Sequence, residues 1–167
     1  MKTIYLAGGC FWGTQKFFAQ FDGVVNTCTG YANGKSKAPT YEEVCKGSGH
    51  AETVKVEYDE TVISLTQLLE YYFMAIDPTS VNQQGEDVGE QYRTGIYYED
   101  ASLCPEIQAV VDAKKAELEK DGKKLAVEYL PLQHFYAAEE YHQDYLDKNP
   151  TGYCHLSPAL FRLGKTK

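Results

Sequence analysis

The chain has 167 residues, of which 43% are hydrophobic, and its formal net charge is −8 at pH 7. This length and composition predict one compact domain with one hydrophobic core. The acidic balance argues against nucleic acid and anionic membranes as partners, and no apolar run is long enough to span a bilayer. Because the apolar patch of residues 2–7 is too short for a signal sequence, we predict a cytoplasmic protein.

Hydrophobic periodicity, capping residues and turn residues predict alternating strands and helices along the chain. In chain order they are strand 2–7, helix 12–21, strand 23–34, strand 53–58, helix 64–76, strand 94–99, helix 105–122, strand 125–130 and helix 137–148. Ser64 and Gln67 form a predicted capping box. Pro105 lies in the first turn of its helix, and Gly122 follows the end of that helix.

These elements predict an α/β (α+β) fold in which several helices pack on a mixed sheet. No repeat, linker or shift in composition marks a second domain. We therefore expect residues 1–167 to form a single domain, with residues 150–167 as an irregular C-terminal tail.

Cys10 lies where the first strand ends at two glycines and the first helix begins. Backbone N–H groups and the positive end of the helix dipole favour a thiolate at such a position. Phe11 and Trp12 can supply an aromatic wall beside the sulfur. The alternative is that Cys10 is a small buried residue with no chemistry, because unpaired cysteines are often buried.

The five cysteines are Cys10, Cys28, Cys45, Cys104 and Cys154. Their odd number and the absence of a C-x-x-C pair favour reduced thiols over a disulfide framework. Cys154 follows proline and glycine in the tail, so its thiol could reach another cysteine without straining a packed core. Alternatively, it has no role.

The stretch "GSGHAE" (residues 47–52) places His50 and Glu52 in a glycine-rich loop before a strand. A zinc deaminase would also require P-C-x-x-C, which is absent, so we predict no metal. The stretch "GYANGKS" lacks the spacing of a phosphate-binding loop. Two further segments are "PTYEEV" with Tyr41 and "QQGEDVGEQYR" with Asp87 and Tyr92. Taken alone, Tyr41 carries no signal among 14 tyrosines, and the second segment is better read as a solvated turn.

Taken together, "GGCFWG", "PTYEEV", "GHAE", "EDVGEQYR" and "NPTGYC" resemble the A-type peptide methionine sulfoxide reductase family. The "GCFWG" stretch is that family's signature, and "FYAAEEYHQDYL" resembles its C-terminal helix. The resemblance extends from about residue 3 to residue 155. It implies a two-layer α/β sandwich related to ferredoxin-like plaits.

The resemblance also implies the roles of the site residues. Cys10 would attack the sulfur of methionine-S-sulfoxide, and Glu52 would be the acid that protonates the departing oxygen. Tyr41 and Tyr92 would hydrogen-bond that oxygen, and Asp87 would help to orient the substrate. The aromatic pair Phe11 and Trp12 would hold the substrate methyl group.

After the first step, Cys154 would resolve the Cys10 sulfenic acid to a disulfide, and thioredoxin would reduce that disulfide without any cofactor. No cysteine follows Cys154, so this disulfide itself must meet the reductant. Cys28, Cys45 and Cys104 are expected to be structural. A thiol peroxidase and a non-enzymatic thioether-binding module are the alternatives. A peroxidase gives no role to Glu52 or the aromatic pair, and a binding module gives none to a second cysteine.

Overall fold

The computed structural model of the protein describes residues 1–34, 39–47, 49–84, 87–149, 156 and 160–161. The strands are β1 (Lys2–Gly8), β2 (Val24–Ala32), β3 (Ala51–Tyr58), β4 (Gln83–Gln84), β5 (Asp87–Val88), β6 (Thr94–Tyr98), β7 (Glu128–Pro131) and β8 (Phe135–Ala137). The helices are α1 (Phe11–Ala19), α2 (Tyr41–Cys45), α3 (Leu65–Ala75), α4 (Cys104–Lys120) and α5 (Tyr145–Lys148). Short 3₁₀ helices cover Glu90–Tyr92, Ala101–Leu103 and Glu140–His142. This mixture of strands and helices confirms the predicted α/β class.

Six strands form one mixed sheet in the order β7-β6-β1-β3-β2-β8, while β4 and β5 form a separate hairpin. Neighbouring strands of the large sheet are antiparallel except β6 and β7, which are parallel. Because β3 and β6 both run opposite to β1, they begin at the edge where β1 ends. β2 also ends at this edge and connects through α2 to β3. The topology therefore gathers the end of β1, the α2 connection and the start of β6 in one place.

The hydrophobic core lies mainly on one face of the sheet. Ile4 and Leu6 of β1 belong to this core together with buried residues of α1, α3 and α4. Tyr5 and Ala7, which alternate with them along the strand, belong to a smaller cluster. This alternation is the period of two expected for a strand that is covered on both faces.

The helix boundaries that the sequence marks with capping residues are confirmed. The Ser64 hydroxyl accepts a hydrogen bond from the Gln67 backbone N–H at 3.1 Å, and Gln67 Oε1 accepts one from the Ser64 N–H at 3.2 Å. Pro105 lies in the first turn of α4, and Gly122 adopts a left-handed φ of 72° just after it. Local chemistry therefore fixed these ends.

The predicted continuous helix over residues 137–148 is wrong. The chain forms a 3₁₀ turn, then passes through Asp144 with a left-handed φ of 52°, and only then enters α5. The Gln143 side chain bonds both the N–H and the C=O of Thr29 on β2, at 2.9 and 3.0 Å. The Asp144 N–H donates to Gln15 of α1 at 2.8 Å. These tertiary hydrogen bonds hold the segment out of a regular helix.

The strand that carries Glu52 begins earlier than predicted. β3 starts at Ala51, so Glu52 lies within the strand and not in the preceding loop, and it pairs with Tyr31 of β2. Within the described ranges, none of the helices combines the length and the apolarity needed to cross a bilayer.

Candidate active site

Cys10 is the N-cap residue of α1, at the sheet edge where β1 ends. Gly9 makes the turn between strand and helix with a φ of 88°, a conformation that favours glycine. The Cys10 residue is 5% exposed. Cys10 therefore stands at the start of a nine-residue helix, as the sequence predicts.

The Glu52 carboxyl lies beside the same helix end. Its Oε1 accepts a hydrogen bond from the Phe11 backbone N–H at 3.2 Å, and the residue is only 1% exposed. Among the described residues, the other oxygen, Oε2, has no hydrogen-bond partner. Burial raises the pKa of Glu52 to about 8, against the opposing effect of the Phe11 hydrogen bond. A carboxyl with this pKa is protonated at neutral pH and can donate a proton.

Two tyrosines and an aspartate approach Glu52 from different elements. Tyr41 is the first residue of α2, Tyr92 ends the 3₁₀ turn before β6, and Asp87 begins β5. Burial and then the charge of Glu52 raise the pKa of both tyrosines far above the usual value, so both hydroxyls stay protonated. Tyr92 also interacts electrostatically with Cys10 and Asp87. The structure thus brings together five residues that lie far apart in sequence.

The two aromatic residues after Cys10 differ in exposure. Phe11 is 0% exposed, because its ring packs against Tyr31, Tyr41 and His142 with centroid distances of 5.3–6.3 Å. Trp12 is only half-buried. The exposed aromatic wall therefore comes from Trp12 and the half-buried Tyr41, while Phe11 supports it from behind.

The residues that hold Trp12 in place were not identified from the sequence. The indole Nε1–H donates to His142 Nδ1 at 2.9 Å, and the Tyr145 ring stacks on the indole with centroids 3.9 Å apart. Burial lowers the pKa of His142, which favours the neutral form that this acceptor role requires. Both residues lie in "FYAAEEYHQDYL". The sequence of this segment resembles the family, but it does not show that these two side chains contact Trp12.

Glu139 was also missed, although it connects three elements near the site. Its carboxylate accepts hydrogen bonds from the Tyr31 hydroxyl at 2.8 Å and from the Tyr41 backbone N–H at 3.1 Å. These bonds contribute to a lowered pKa of Glu139, despite partial burial that acts to raise it. The carboxylate thereby fixes the start of α2 and the position of Tyr41.

The remaining cysteines and histidines are distributed as follows. Cys154 lies outside the described residues. Cys45 is exposed, and partial burial of its thiol raises its pKa while a hydrogen bond with Tyr41 opposes this shift. His50 does not join Glu52, since its Nε2 lies 3.2 Å from Nε2 of His134. Within the described part of the chain, no three metal-binding side chains converge.

Comparisons with known proteins identify the family. Residues 2–165 match the family model described as peptide methionine sulfoxide reductase. The chain is 52% identical to the peptide methionine sulfoxide reductase MsrA of Lachnoclostridium phytofermentans, over 98% of each chain. It is 50% identical to the MsrA of Clostridium acetobutylicum, over 97% of this chain and 99% of the relative.

Solved structures give the same result. The methionine sulfoxide reductase A of Corynebacterium diphtheriae superposes with a TM-score of 0.87 at 39% identity, covering 92% of this chain and 77% of that one. Reduced Mxr1 of Saccharomyces cerevisiae gives 0.83 at 40% identity, covering 93% and 91%. Mxr1 in complex with Trx2 gives 0.57 at 27% identity, covering 86% and 84%. Because the family model, the relatives and the solved structures all match over nearly the whole chain, the chain belongs to the peptide methionine sulfoxide reductase family.

Proposed function

We propose that the protein reduces methionine-S-sulfoxide, free or within proteins, to methionine, and that thioredoxin regenerates the enzyme. The observation that carries this proposal is the buried Glu52 carboxyl, protonated at neutral pH and held at the α1 N-terminus beside Cys10. The relatives named MsrA and the Mxr1–Trx2 complex support the substrate and the reductant respectively.

In the first step, the Cys10 thiolate attacks the sulfoxide sulfur. This attack forms a bond between the two sulfurs, and Glu52 protonates the oxygen. The hydroxyl then transfers to the Cys10 sulfur as the sulfur–oxygen and sulfur–sulfur bonds break, which leaves Cys10 as a sulfenic acid. The substrate sulfur gains two electrons and the cysteine sulfur loses two, so methionine leaves as a thioether. General-acid catalysis suits this step because the oxygen leaves only once it is protonated.

The surrounding groups position the sulfoxide and stabilise its oxygen. Tyr41 and Tyr92 keep their protons, so both hydroxyls can donate to the oxygen as negative charge develops on it. Asp87 orients the substrate through hydrogen bonds. The half-buried Trp12 holds the methyl group, and Phe11 packs behind that wall.

The second step closes the cycle. The Cys154 thiol attacks the Cys10 sulfenic acid, a disulfide forms, and the oxygen departs as water. Thioredoxin then reduces this disulfide to two thiols. Cys154 is the candidate because it is the last cysteine of the chain and lies in the family's "GYC" pattern.

A thiol count tests the proposal. Reduced protein is mixed with a methyl sulfoxide or with hydrogen peroxide, and the remaining thiols and the thioether product are quantified. We expect two thiols lost for each thioether formed. Loss of thiols with peroxide alone would indicate a thiol peroxidase, and no loss with either oxidant would indicate a binding module.

Three finer features accompany this function. The strand order β6-β1-β3-β2 with antiparallel neighbours supports a ferredoxin-like plait within a two-layer sandwich. We propose that residues 1–167 act as one catalytic domain, with residues 150–167 as the tail that carries the resolving cysteine. We also propose that the protein works in the cytoplasm, where thioredoxin keeps thiols reduced.

A further inference from the structure

A polar groove of about 430 Å³ lies at the sheet edge where the candidate site is found. Its lining is formed almost entirely by polar side chains and glycines. They include Gly49, Asn82, Glu90, Arg93, Glu128 and Gln133.

The groove and the candidate site share three loops. Gly49 lies three residues before Glu52, and Glu90 belongs to the same 3₁₀ turn as Tyr92. The Asn82 carbonyl accepts a hydrogen bond from the Gly89 N–H at 2.9 Å, at the base of the hairpin that carries Asp87. The groove therefore lies at the same sheet edge as the candidate site and shares loops with it.

One side of the groove is a fixed network of charges. Arg93 Nε lies 3.2 Å from the Glu128 carboxylate, and the Tyr97 hydroxyl donates to the same carboxylate at 2.7 Å. Arg93 Nη1 also donates to the Glu90 carbonyl at 2.9 Å. The Arg93 side chain is only 14% exposed. This network is preformed, and its two charges compensate each other.

The rim is different, because several of its polar side chains have no hydrogen-bond partner in the described part of the chain. Among the described residues, no hydrogen bond engages the side chains of Asn82, Glu90 or Gln133. Carboxamides both donate and accept hydrogen bonds, as a peptide group does. The uncompensated carboxylate of Glu90 favours a cation. The rim thus presents groups suited to a polypeptide with a basic side chain.

We propose that this groove binds the polypeptide that flanks methionine sulfoxide in protein substrates, and that it prefers a Lys or Arg opposite Glu90. The inference rests on the proposed function, because it assigns the sulfoxide to the adjacent pocket. The groove would therefore distinguish an oxidised protein from a small sulfoxide.

The test compares blocked pentapeptides that have methionine sulfoxide at the centre and Lys, Gly or Glu on both sides. Dimethyl sulfoxide, which has no backbone, is the reference substrate, and each peptide's kcat/KM is divided by the reference value. For the unchanged protein we expect this ratio to decrease from Lys to Gly to Glu peptides. The ratio for the Lys peptide should exceed the ratio for the Glu peptide by roughly threefold to tenfold, as expected for a partly exposed ion pair.

Glu90→Lys should reverse this order. Glu60→Lys is the matched control, since it makes the same charge change at an exposed position beyond the far end of β3, and it should keep the original order. The double variant Asn82→Ala with Gln133→Ala should lower the ratio for the Gly peptide severalfold. An unchanged order in Glu90→Lys, or an unchanged Gly-peptide ratio in the double variant, would overturn the proposal.

A binding measurement separates this proposal from the proposed function. The unoxidised Lys, Gly and Glu peptides are titrated into isotope-labelled protein, and the side-chain amide resonances of Asn82 and Gln133 are followed by NMR. We expect saturable shifts that are strongest with the Lys peptide. If no sulfoxide is reduced but these shifts occur, the proposed function fails while the groove remains a peptide site; absence of the shifts refutes the groove.

Discussion

The backbone N–H of Phe11 donates a hydrogen bond to Oε1 of Glu52 over 3.2 Å, joining the start of α1 to β3. A helix N-terminus favours a carboxylate, so this contact alone would lower the pKa of Glu52. Burial has the larger effect, and the pKa rises to about 8. Because burial outweighs the hydrogen bond, Glu52 is a neutral carboxylic acid, and not a carboxylate, next to Cys10 at neutral pH.

We expect the single-turnover rate of sulfoxide reduction to depend on the protonation of Glu52. Because the pKa is raised, the required protonated form predominates below about pH 8 and disappears as the pH rises through that value. Glu52→Gln should lack this alkaline decrease and should be slower by roughly 10²–10⁴-fold at neutral pH. Rapid-quench measurements of methionine formation in a single turnover check both the pH dependence and the loss of rate. The exposed Glu60→Gln is the control, and a normal rate in Glu52→Gln would remove Glu52 from the mechanism.

Tyr41→Phe and Tyr92→Phe should each slow the chemical step. Each change removes one donor to the sulfoxide oxygen, and loss of one such donor costs on the order of 10² in rate in comparable sites. The loss should be in kcat more than in KM, because the bonds strengthen as charge develops. Tyr141→Phe, an exposed tyrosine near His142, should behave like the unchanged protein. If Tyr41→Phe and Tyr92→Phe were as fast as Tyr141→Phe, the two hydroxyls would not act as donors to the sulfoxide oxygen.

The hydrogen bond between Trp12 and His142 should control the shape of the methyl pocket. His142→Phe retains a ring but removes the acceptor, whereas His142→Asn can retain an acceptor near the Nδ1 position. We expect the first variant to increase KM for a methyl sulfoxide by roughly tenfold and the second to recover part of the loss, as for one net hydrogen bond. The chain has one tryptophan, so its fluorescence reports on Trp12 alone. Unaltered emission and KM in His142→Phe would refute this role.

Cys154→Ser should stop after one turnover with thioredoxin as reductant. Cys10 and Glu52 are unchanged, so about one methionine per enzyme should form, but no Cys10–Cys154 disulfide can follow. The stalled protein should react with a sulfenic-acid probe at Cys10, and dithiothreitol should restart it. Cys28→Ser is the matched control and should turn over continuously.

Sustained turnover of Cys154→Ser with thioredoxin would contradict the assigned resolving step. In that event either another thiol of the chain resolves the sulfenic acid or thioredoxin reduces it directly. The exposed Cys45, which interacts with Tyr41 and Glu52, is the first thiol to examine. The double variant Cys45→Ser with Cys154→Ser then decides between Cys45 and direct reduction by thioredoxin.

Features with local causes were readable from the sequence. The capping box of Ser64 and Gln67 and the ends of α4 follow from hydrogen bonds and backbone preferences within a few residues. The position of Cys10 at a helix start follows from its adjacent glycines. The "GCFWG" stretch and its companion segments were sufficient to indicate the family.

Features that depend on distant partners were decided by the tertiary structure. Residues 137–148 do not form one helix, because Gln143 and Asp144 bond to β2 and α1. Glu52 lies in a strand because β3 pairs with β2 as far as Ala51. Its raised pKa arises from burial beneath elements far away in sequence. The sequence implied the acid role of Glu52 only through the family resemblance. The physical cause of that role, desolvation, depends on everything packed around the carboxyl and is decided by the tertiary structure.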